Sequence, residues 1–242
     1  MKTRFLSLLL AGTGALALTL WRSAGSAAPP SPSQQAREAA ATPPGFVYVP
    51  GGECWLGTND PDAEEDHRPR QRKFLPSFYI GRCEVTQAEW KRFRPEYTIP
   101  TGKQNYPITN RLRNDVMAYC RWVGGYLPSD DEWEKAARGP NGLRYPWGNT
   151  YEAARCNLGR RRNLPKDVCA VPGIRRGLLP VSAHPEGASP YGALQMAGNA
   201  WEWVAGSYDG NPERGIIRGG AYGYSELNAR TYSRGIEGAG VT

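Results

Sequence analysis

Apolar and polar residues alternate in two short segments of the chain, at residues 45–50 and 74–80, and a third short apolar segment lies between them at residues 54–57. Alternation places every second side chain on one face of an extended backbone, which is typical of a half-buried β-strand. Gly51 and Gly52 lie between residues 45–50 and 54–57 and suit a turn. The pattern therefore predicts three strands in the first third of the chain.

Three other segments have apolar residues at the spacing of an amphipathic helix. Two of them follow a capping box, in which Thr86 precedes Glu89, and Ser129 precedes Glu132, by three residues. A capping box satisfies free N–H groups in the first turn of a helix. The sequence predicts helices over residues 87–93, 113–122 and 130–138.

After residue 139 these patterns give way to Gly, Pro, Trp, Tyr and Asn. The chain contains 29 Gly, 21 Pro and 8 Trp among its 242 residues. Gly and Pro favour turns and loops, and the large aromatic side chains supply buried apolar area. We expect a loop-rich α+β domain, with the charged residues 60–72 forming a solvated loop.

The first 28 residues have the composition of a secretory signal peptide. A basic start at residues 1–4 precedes an apolar run at 5–20 and a series of small residues at 23–28. The apolar run is shorter than the roughly 20 residues of a spanning helix. We predict a cleaved signal peptide over residues 1–28, export to the periplasm or the exterior, and no integral membrane segment afterwards.

Residues 29–44 are rich in Pro, Ala, Ser and Gln and lack apolar periodicity. Such a composition predicts a flexible tether, followed by one domain over residues 45–242.

The formal net charge of +7 is positive, but the positions of the basic residues do not suggest a nucleic-acid site, and we predict no nucleic-acid partner. Three of the basic residues lie in the signal segment, and others cluster at 160–162 and 175–176 in a stretch rich in Pro and Gly. A nucleic-acid site would combine basic and aromatic residues on a defined element. We predict a solvated basic loop, with contact to an anionic polysaccharide as the alternative.

Eight short motifs follow one another between residues 51 and 220. The most informative are Gly-Asn-Ala-Trp-Glu-Trp at 198–203 and Arg-Gly-Gly at 218–220; the others lie at 51–57, 84–86, 118–122, 127–134, 136–139 and 145–148. In this order they resemble the formylglycine-generating enzyme, or sulfatase-modifying factor, family over residues 46–234. The resemblance implies a variant of the C-type lectin fold with little regular secondary structure.

The resemblance also implies a chemistry for which this chain lacks the residues. Enzymes of the family oxidise a sulfatase cysteine to formylglycine with molecular oxygen, using two copper-binding cysteines shortly after Arg-Gly-Gly. Here residues 221–228 read Ala-Tyr-Gly-Tyr-Ser-Glu-Leu-Asn. Oxygen and amide donors do not replace a pair of soft thiolates as copper ligands. We therefore expect neither copper nor catalytic residues.

Calcium is the cofactor that the resemblance still permits. It implies one site near the 198–203 motif and a second around residue 157, whose aspartate has no counterpart here. Calcium requires six to eight oxygen ligands. As an alternative, Glu202 accepts backbone hydrogen bonds and the tryptophans form core. The expected ligands are Gly198, Ala200, Glu202 and Gln195 at the first site, and Asn157 and Leu158 at the second.

A segment rich in Tyr, Ser, Asn and Arg occupies the region where the family has its active groove. This composition suits an adaptable recognition surface, with a solvent-facing turn as the alternative. We predict a non-catalytic domain, or pseudo-enzyme, that binds a protein or carbohydrate. The alternative is a formylglycine-generating oxidase, or another oxidative enzyme acting on a sulfatase-type cysteine. The groove residues are Tyr222, Tyr224, Ser225, Asn228 and Arg230.

The chain contains five cysteines, and an exported protein is expected to pair them. The resemblance assigns Cys120 a partner in a terminal Gly-Phe-Arg-Cys strand, and the sequence ends at Thr242 before such a strand. Cys120 is then the unpaired thiol, and a truncated product is a third hypothesis for the chain. Sequence alone does not fix connectivity. The disulfides expected from proximity are Cys54–Cys83 and Cys156–Cys169.

Overall fold

A computed structural model describes residues 21–22, 30–158 and 177–238 of the chain. Four helices lie in this part: α1 Pro32–Ala40, α2 Gln87–Phe93, α3 Arg113–Trp122 and α4 Asp130–Arg138. The strands are β1 Trp21–Arg22, β2 Phe46–Val49, β3 Gly52–Leu56, β4 Gln71–Leu75, β5 Phe78–Gly81, β6 Glu202–Ser207, β7 Arg214–Arg218 and β8 Arg234–Gly238. The predicted α+β class and the three predicted helices are confirmed.

Three small antiparallel sheets have the strand orders β1-β5-β2, β3-β4 and β6-β7-β8. The single strand predicted over residues 74–80 is wrong, because β4 ends at Leu75 and β5 begins at Phe78. Pro76 lies between them, and proline has no N–H group to donate to a sheet. The break allows the two strands to join different sheets.

Helix α4 connects the sheets in the core. Its Trp133, Ala136 and Ala137 are buried in one cluster with apolar residues of β2, β5, β6 and β7. Trp133 has no exposed surface, and truncating a buried Trp to Ala typically costs 3–5 kcal/mol. Ser129 and Glu132 form the predicted capping box at the start of this helix.

Helix α1 lies in the segment predicted to be a flexible tether, so that prediction is wrong for residues 32–40. Ser31 caps the helix, and Pro32 occupies its first turn, where a missing N–H has no cost. The Glu38 carboxylate accepts hydrogen bonds from Tyr48 Oη at 2.8 Å and Ser77 Oγ at 2.7 Å. The helix buries no residue, which explains why no apolar periodicity marked it.

One of the two predicted disulfides falls within the described residues and is not formed there. Cys54 and Cys83 are both free and buried, so the Cys54–Cys83 pairing is wrong. Cys54 lies in β3 with its thiol 3.5 Å from the Lys73 carbonyl oxygen, whereas Cys83 packs with Val181 and Leu194 after β5. Proximity in sequence does not bring the two thiols together, because β3 and β5 belong to different sheets.

Cys156 is also free and buried, and its expected partner Cys169 lies outside the described residues. Cys120, expected to be unpaired, is free as well. In the described part of the chain, no helix combines the length and apolar character needed to cross a bilayer.

Candidate functional site

The arginine of Arg-Gly-Gly lies at the centre of a buried ion-pair network. Arg218 is 1% exposed; its Nε lies 2.5 Å from Asp130 Oδ1, and its Nη2 lies 3.0 Å from Glu134 Oε2. Arg138 donates to the other oxygen of Glu134 at 2.6 Å. Because Asp130 and Glu134 both belong to α4, Arg218 attaches the end of β7 to that helix.

The two glycines after Arg218 redirect the chain. Gly219 and Gly220 have φ angles of 88° and 75°, in the left-handed region that favours glycine. A Cβ atom on Gly220 would lie 3.1 Å from the Asn228 backbone. The turn therefore places the start of the 221–230 segment against its end.

The Gly-Asn-Ala-Trp-Glu-Trp motif forms a tight loop before β6. Gly198 has a φ of 89°, and a Cβ atom there would lie 2.5 Å from the Asn157 carbonyl oxygen. Asn199 is fully buried; its Oδ1 accepts hydrogen bonds from Asn157 Nδ2 at 2.8 Å and from the Leu179 N–H at 2.9 Å. The structure thus brings together Asn157 and Gly198, residues of the two predicted calcium sites.

A buried carboxylate that sequence reasoning missed lies beside this loop. Glu84 is 5% exposed; it accepts hydrogen bonds from Asn199 Nδ2 at 2.7 Å and from the Ala200 N–H at 3.0 Å. The sequence presented Glu84 only as part of a motif preceding a helix cap. Its two partners lie more than 110 residues away, so no local signal marked its role.

Glu202 is the second buried carboxylate, at 7% exposure. Its Oε2 accepts a hydrogen bond from Trp133 Nε1 at 2.5 Å. Burial raises the pKa of Glu202 to about 8. Burial, followed by the nearby charge of Glu202, raises the pKa of Glu84 well above its usual range. Neither carboxylate forms an ion pair with a described residue, so a bound cation would stabilise both.

Three oxygen atoms of the predicted first calcium site have no donor in the described part of the chain. They are the carbonyl oxygens of Gly198 and Ala200 and the Oε1 atom of Glu202. Oxygen is the ligand type that calcium selects, and the three atoms belong to every second residue of the 198–202 segment. In donor type, this set therefore fits the ion.

Among the described residues, the side chains of the other predicted calcium ligands form contacts through amide nitrogens and an apolar group, not through the oxygen atoms that would bind calcium. Gln195 is buried, and its Nε2 donates to the Ala183 carbonyl oxygen at 2.6 Å. Asn157 Nδ2 also contacts the Gly177 carbonyl oxygen at 3.1 Å. The Leu158 side chain packs in an apolar cluster with Cys156, Ala197 and Ala229.

A cavity of about 560 Å³ lies between α3, the 107–112 loop and the face of the β6-β7-β8 sheet opposite the α4 core. Its walls include aromatic and aliphatic side chains, and Glu84 and Glu202 line it as well. Leu112 and Tyr222 remain 52% and 43% exposed. The apolar wall residues include Val116, Tyr119, Cys120, Leu127, Trp201, Trp203 and Ile217.

The predicted groove residues occupy different places. Tyr222 lines the cavity, and Tyr224 is exposed with its ring edge-on to Trp201, 5.3 Å between centroids. Ser225 Oγ donates to Asn228 Oδ1 at 3.0 Å. Of the predicted groove residues, Tyr222 is the one that lines this cavity.

Arg230, the fifth predicted groove residue, points away from the cavity. It is 7% exposed, and its Nη2 donates to Asp62 Oδ2 at 2.7 Å. Its Nη1 donates to Tyr232 Oη at 3.0 Å, and Tyr232 Oη in turn donates to Asp60 Oδ2 at 2.6 Å. Both acidic partners lie in the segment predicted to be a solvated loop. That loop is therefore attached to the domain by partly buried polar contacts.

The same charged segment contains a group that could hold a metal ion. One ligand atom each of Glu64, Asp66 and His67 lies within 4.8 Å of the others. His67 Nε2 already accepts a hydrogen bond from the Arg234 N–H at 3.1 Å, and Asp66 Oδ2 accepts one from Tyr208 Oη at 2.5 Å. These contacts give His67 and Asp66 a structural role in joining the segment to β8.

Comparison with known proteins identifies the class to which this fold and site belong. The sulfatase-modifying factor enzyme 1-like domain matches residues 31–241, and the chain belongs to that family. The family and the formylglycine-generating-enzyme-like fold predicted from the motifs are thereby confirmed.

Individual relatives differ in what their names imply. The inactive C-alpha-formylglycine-generating enzyme 2 of Mus musculus is 29% identical over 232 residues and covers 74% of each chain. The formylglycine-generating enzyme of Thermomonospora curvata is 38% identical, over 66% of this chain and 71% of the relative. The structure of PvdO from Pseudomonas aeruginosa has a TM-score of 0.64 at 21% identity, over 81% of this chain and 88% of PvdO, a likeness that concerns the fold.

Proposed function

We propose that the chain is an exported, non-catalytic member of the family that binds a ligand in the cavity beside Arg-Gly-Gly. The observation that carries the proposal is the composition of residues 221–228, which contain no cysteine or histidine. Tyr222 lines the cavity from this segment. Among the described cysteines, Cys120 alone lines the cavity, and copper held by a thiolate pair needs two.

The relatives support this proposal in part. The mouse protein similar to this chain is named as an inactive member of the family. A domain can retain a fold while the site on it changes. We extend the same loss of activity to this chain.

The cavity is a suitable binding site for a protein segment with a large apolar side chain. Its volume lies within the range of about 300–1,000 Å³ that is typical of ligand pockets. Trp201, Trp203 and Tyr222 offer aromatic surface, and aromatic residues are enriched where proteins bind each other. The predominance of apolar walls favours a protein over a carbohydrate as the partner.

Calcium is proposed as the structural ion of the 198–202 loop. The carbonyl oxygens of Gly198 and Ala200 and the Glu202 carboxylate would hold it, with water or further oxygens completing its coordination. Bound there, calcium would supply positive charge next to a buried carboxylate and fix the loop that leads into β6. It would have no role in a reaction.

One experiment tests the proposal. The mature chain is purified, its bound copper and calcium are measured, and a Cys-x-Pro-x-Arg peptide is assayed for oxygen-dependent formylglycine. We expect calcium, no stoichiometric copper and no turnover. Turnover with one copper per chain would refute the non-catalytic proposal. Amino-terminal sequencing of the exported chain tests cleavage near residue 28.

An oxidase remains the second candidate function. The Thermomonospora curvata relative, at 38% identity, is named as a formylglycine-generating enzyme. This reading requires ligands other than thiolates after Arg-Gly-Gly, and the same peptide assay decides between the two functions.

A further inference from the structure

Glu84 contacts residues 198–202, the loop proposed to bind calcium, through both of its carboxylate oxygens. Oε1 accepts the Ala200 N–H at 3.0 Å, and Oε2 accepts Asn199 Nδ2 at 2.7 Å. Glu84 lies between β5 and α2, in a part of the chain remote from residues 198–202. A single buried side chain thus fixes two consecutive residues of the loop.

The two groups that Glu84 contacts, the Asn199 side chain and the Ala200 N–H, lie between the two carbonyl groups proposed to bind calcium. The Gly198 carbonyl precedes Asn199, and the Ala200 carbonyl follows the N–H group that Glu84 accepts. Asn199 has a φ of 65°, a conformation that is uncommon outside glycine and needs support from its surroundings. The Ala200 N–H shares a planar peptide with the Asn199 carbonyl. Glu84 therefore fixes that peptide and the Asn199 side chain, which lie between the two peptides whose carbonyl oxygens would bind calcium.

We propose that Glu84 is a positioning residue for the calcium ion: it holds the backbone between the Gly198 and Ala200 carbonyls in place. The inference rests on the calcium site of the proposed function. Partners behind the direct ligands typically contribute 10- to 100-fold to metal affinity. Glu84 is therefore expected to affect calcium binding without being required as a ligand.

The test compares Glu84→Gln with the matched variant Glu89→Gln. Glu89 is a buried glutamate at 2% exposure that accepts hydrogen bonds from Thr86 at the start of α2. Each substitution replaces a buried, doubly hydrogen-bonded carboxylate by an amide. Only the first lies at the proposed ion site.

Calcium affinity is measured by calorimetry on the full chain after chelation, and terbium luminescence sensitised by Trp201 and Trp203 provides a spectroscopic signal. We expect Glu84→Gln to lower calcium affinity about 10- to 100-fold and to reduce the rise in Tm that calcium produces. Glu89→Gln should lower the Tm of the calcium-free protein and leave calcium affinity unchanged.

Two results would overturn the inference in distinguishable ways. If wild-type protein bound neither calcium nor terbium, the proposed calcium site and the role of Glu84 would fail together. If wild-type protein bound calcium and Glu84→Gln bound it equally well, the ion site would stand and Glu84 would be a structural residue only.

Discussion

His67 and Arg234 join the charged 60–72 segment to the last described strand through one hydrogen bond, from the Arg234 N–H to His67 Nε2 at 3.1 Å. The imidazole can accept this bond only when Nε2 carries no proton. His67 is 7% exposed. This link between the 60–72 segment and β8 therefore depends on a neutral histidine.

Lowering the pH should weaken the fold through His67. Burial lowers the pKa of His67 below its ordinary value of 6.5, although nearby Asp66 acts in the opposite direction. The unfolded chain therefore binds a proton as the pH falls below about 6.5 while the folded chain resists it, so stability is lost. The slope of this contribution is at most about 1.4 kcal/mol per pH unit.

Urea unfolding of wild type and His67→Phe between pH 7.5 and 5 measures this effect. The variant should be less stable at pH 7.5, and the difference from wild type should shrink as the pH falls. Parallel pH profiles for the two proteins would show that His67 does not titrate on unfolding.

Arg218→Met should strongly destabilise the domain. The substitution removes the buried cation that Asp130 and Glu134 share and leaves them with Arg234 and Arg138, respectively. Removing one member of a buried ion pair typically costs about 3–5 kcal/mol. Chemical denaturation measures the loss. Arg214→Met is the control, because Arg214 pairs with Asp209 at the surface, with both side chains more than 40% exposed. Its cost should not exceed about 1 kcal/mol, and equal costs for the two variants would contradict the prediction.

Gly220→Ala should cost more than Gly223→Ala. Both glycines have positive φ angles, 75° and 83°, and an L-residue there costs about 1–2 kcal/mol. A Cβ atom on Gly220 would also press on the Asn228 backbone at 3.1 Å, whereas one on Gly223 would meet nothing within 4 Å. Both variants share the cost of a positive φ, so a difference in Tm between them, measured by thermal unfolding, reports the contact of the new Cβ atom with Asn228. A similar Tm for both would refute a cost from that contact.

Glu38→Ala should release α1 from the domain. The change removes the hydrogen bonds from Tyr48 and Ser77, each worth about 1.5–3 kcal/mol when the acceptor is charged. Hydrogen exchange of residues 32–40 should become faster while the core amides keep their protection. Gln35→Ala serves as the control, since Gln35 contacts only the Pro30 carbonyl at 3.2 Å through its side chain.

The elements that were predictable from sequence are those with local causes. Helices α2 and α4 begin at capping boxes whose partners are three residues apart, and both boxes form in the structure. The 198–203 loop was recognisable because its motif is continuous. Glu84 was not, because its contacts with Asn199 and Ala200 depend on how distant segments meet.

Other errors have the same physical origin. The composition around Arg230 predicts a place in the groove, but its guanidinium pairs with Asp62, 168 residues earlier in the chain. Proximity in sequence predicts a disulfide between Cys54 and Cys83, but Cys54 lies in β3 and Cys83 follows β5, and these strands belong to separate sheets. Composition predicts the kind of surface a segment can form, whereas the direction of each side chain depends on tertiary contacts.

The buried amide of Asn199 has a consequence for how the domain comes apart. The side-chain amide contacts Glu84 from the first half of the chain and Asn157 and Leu179 from the second. The backbone carbonyl oxygen of Asn199 accepts the Tyr222 N–H at 3.0 Å. Breaking any one of these segments away leaves buried polar groups unpaired in the others, at a cost of about 1–3 kcal/mol each. The sheets of the two halves should therefore lose their structure in one cooperative transition, even though much of the chain between them has no regular secondary structure.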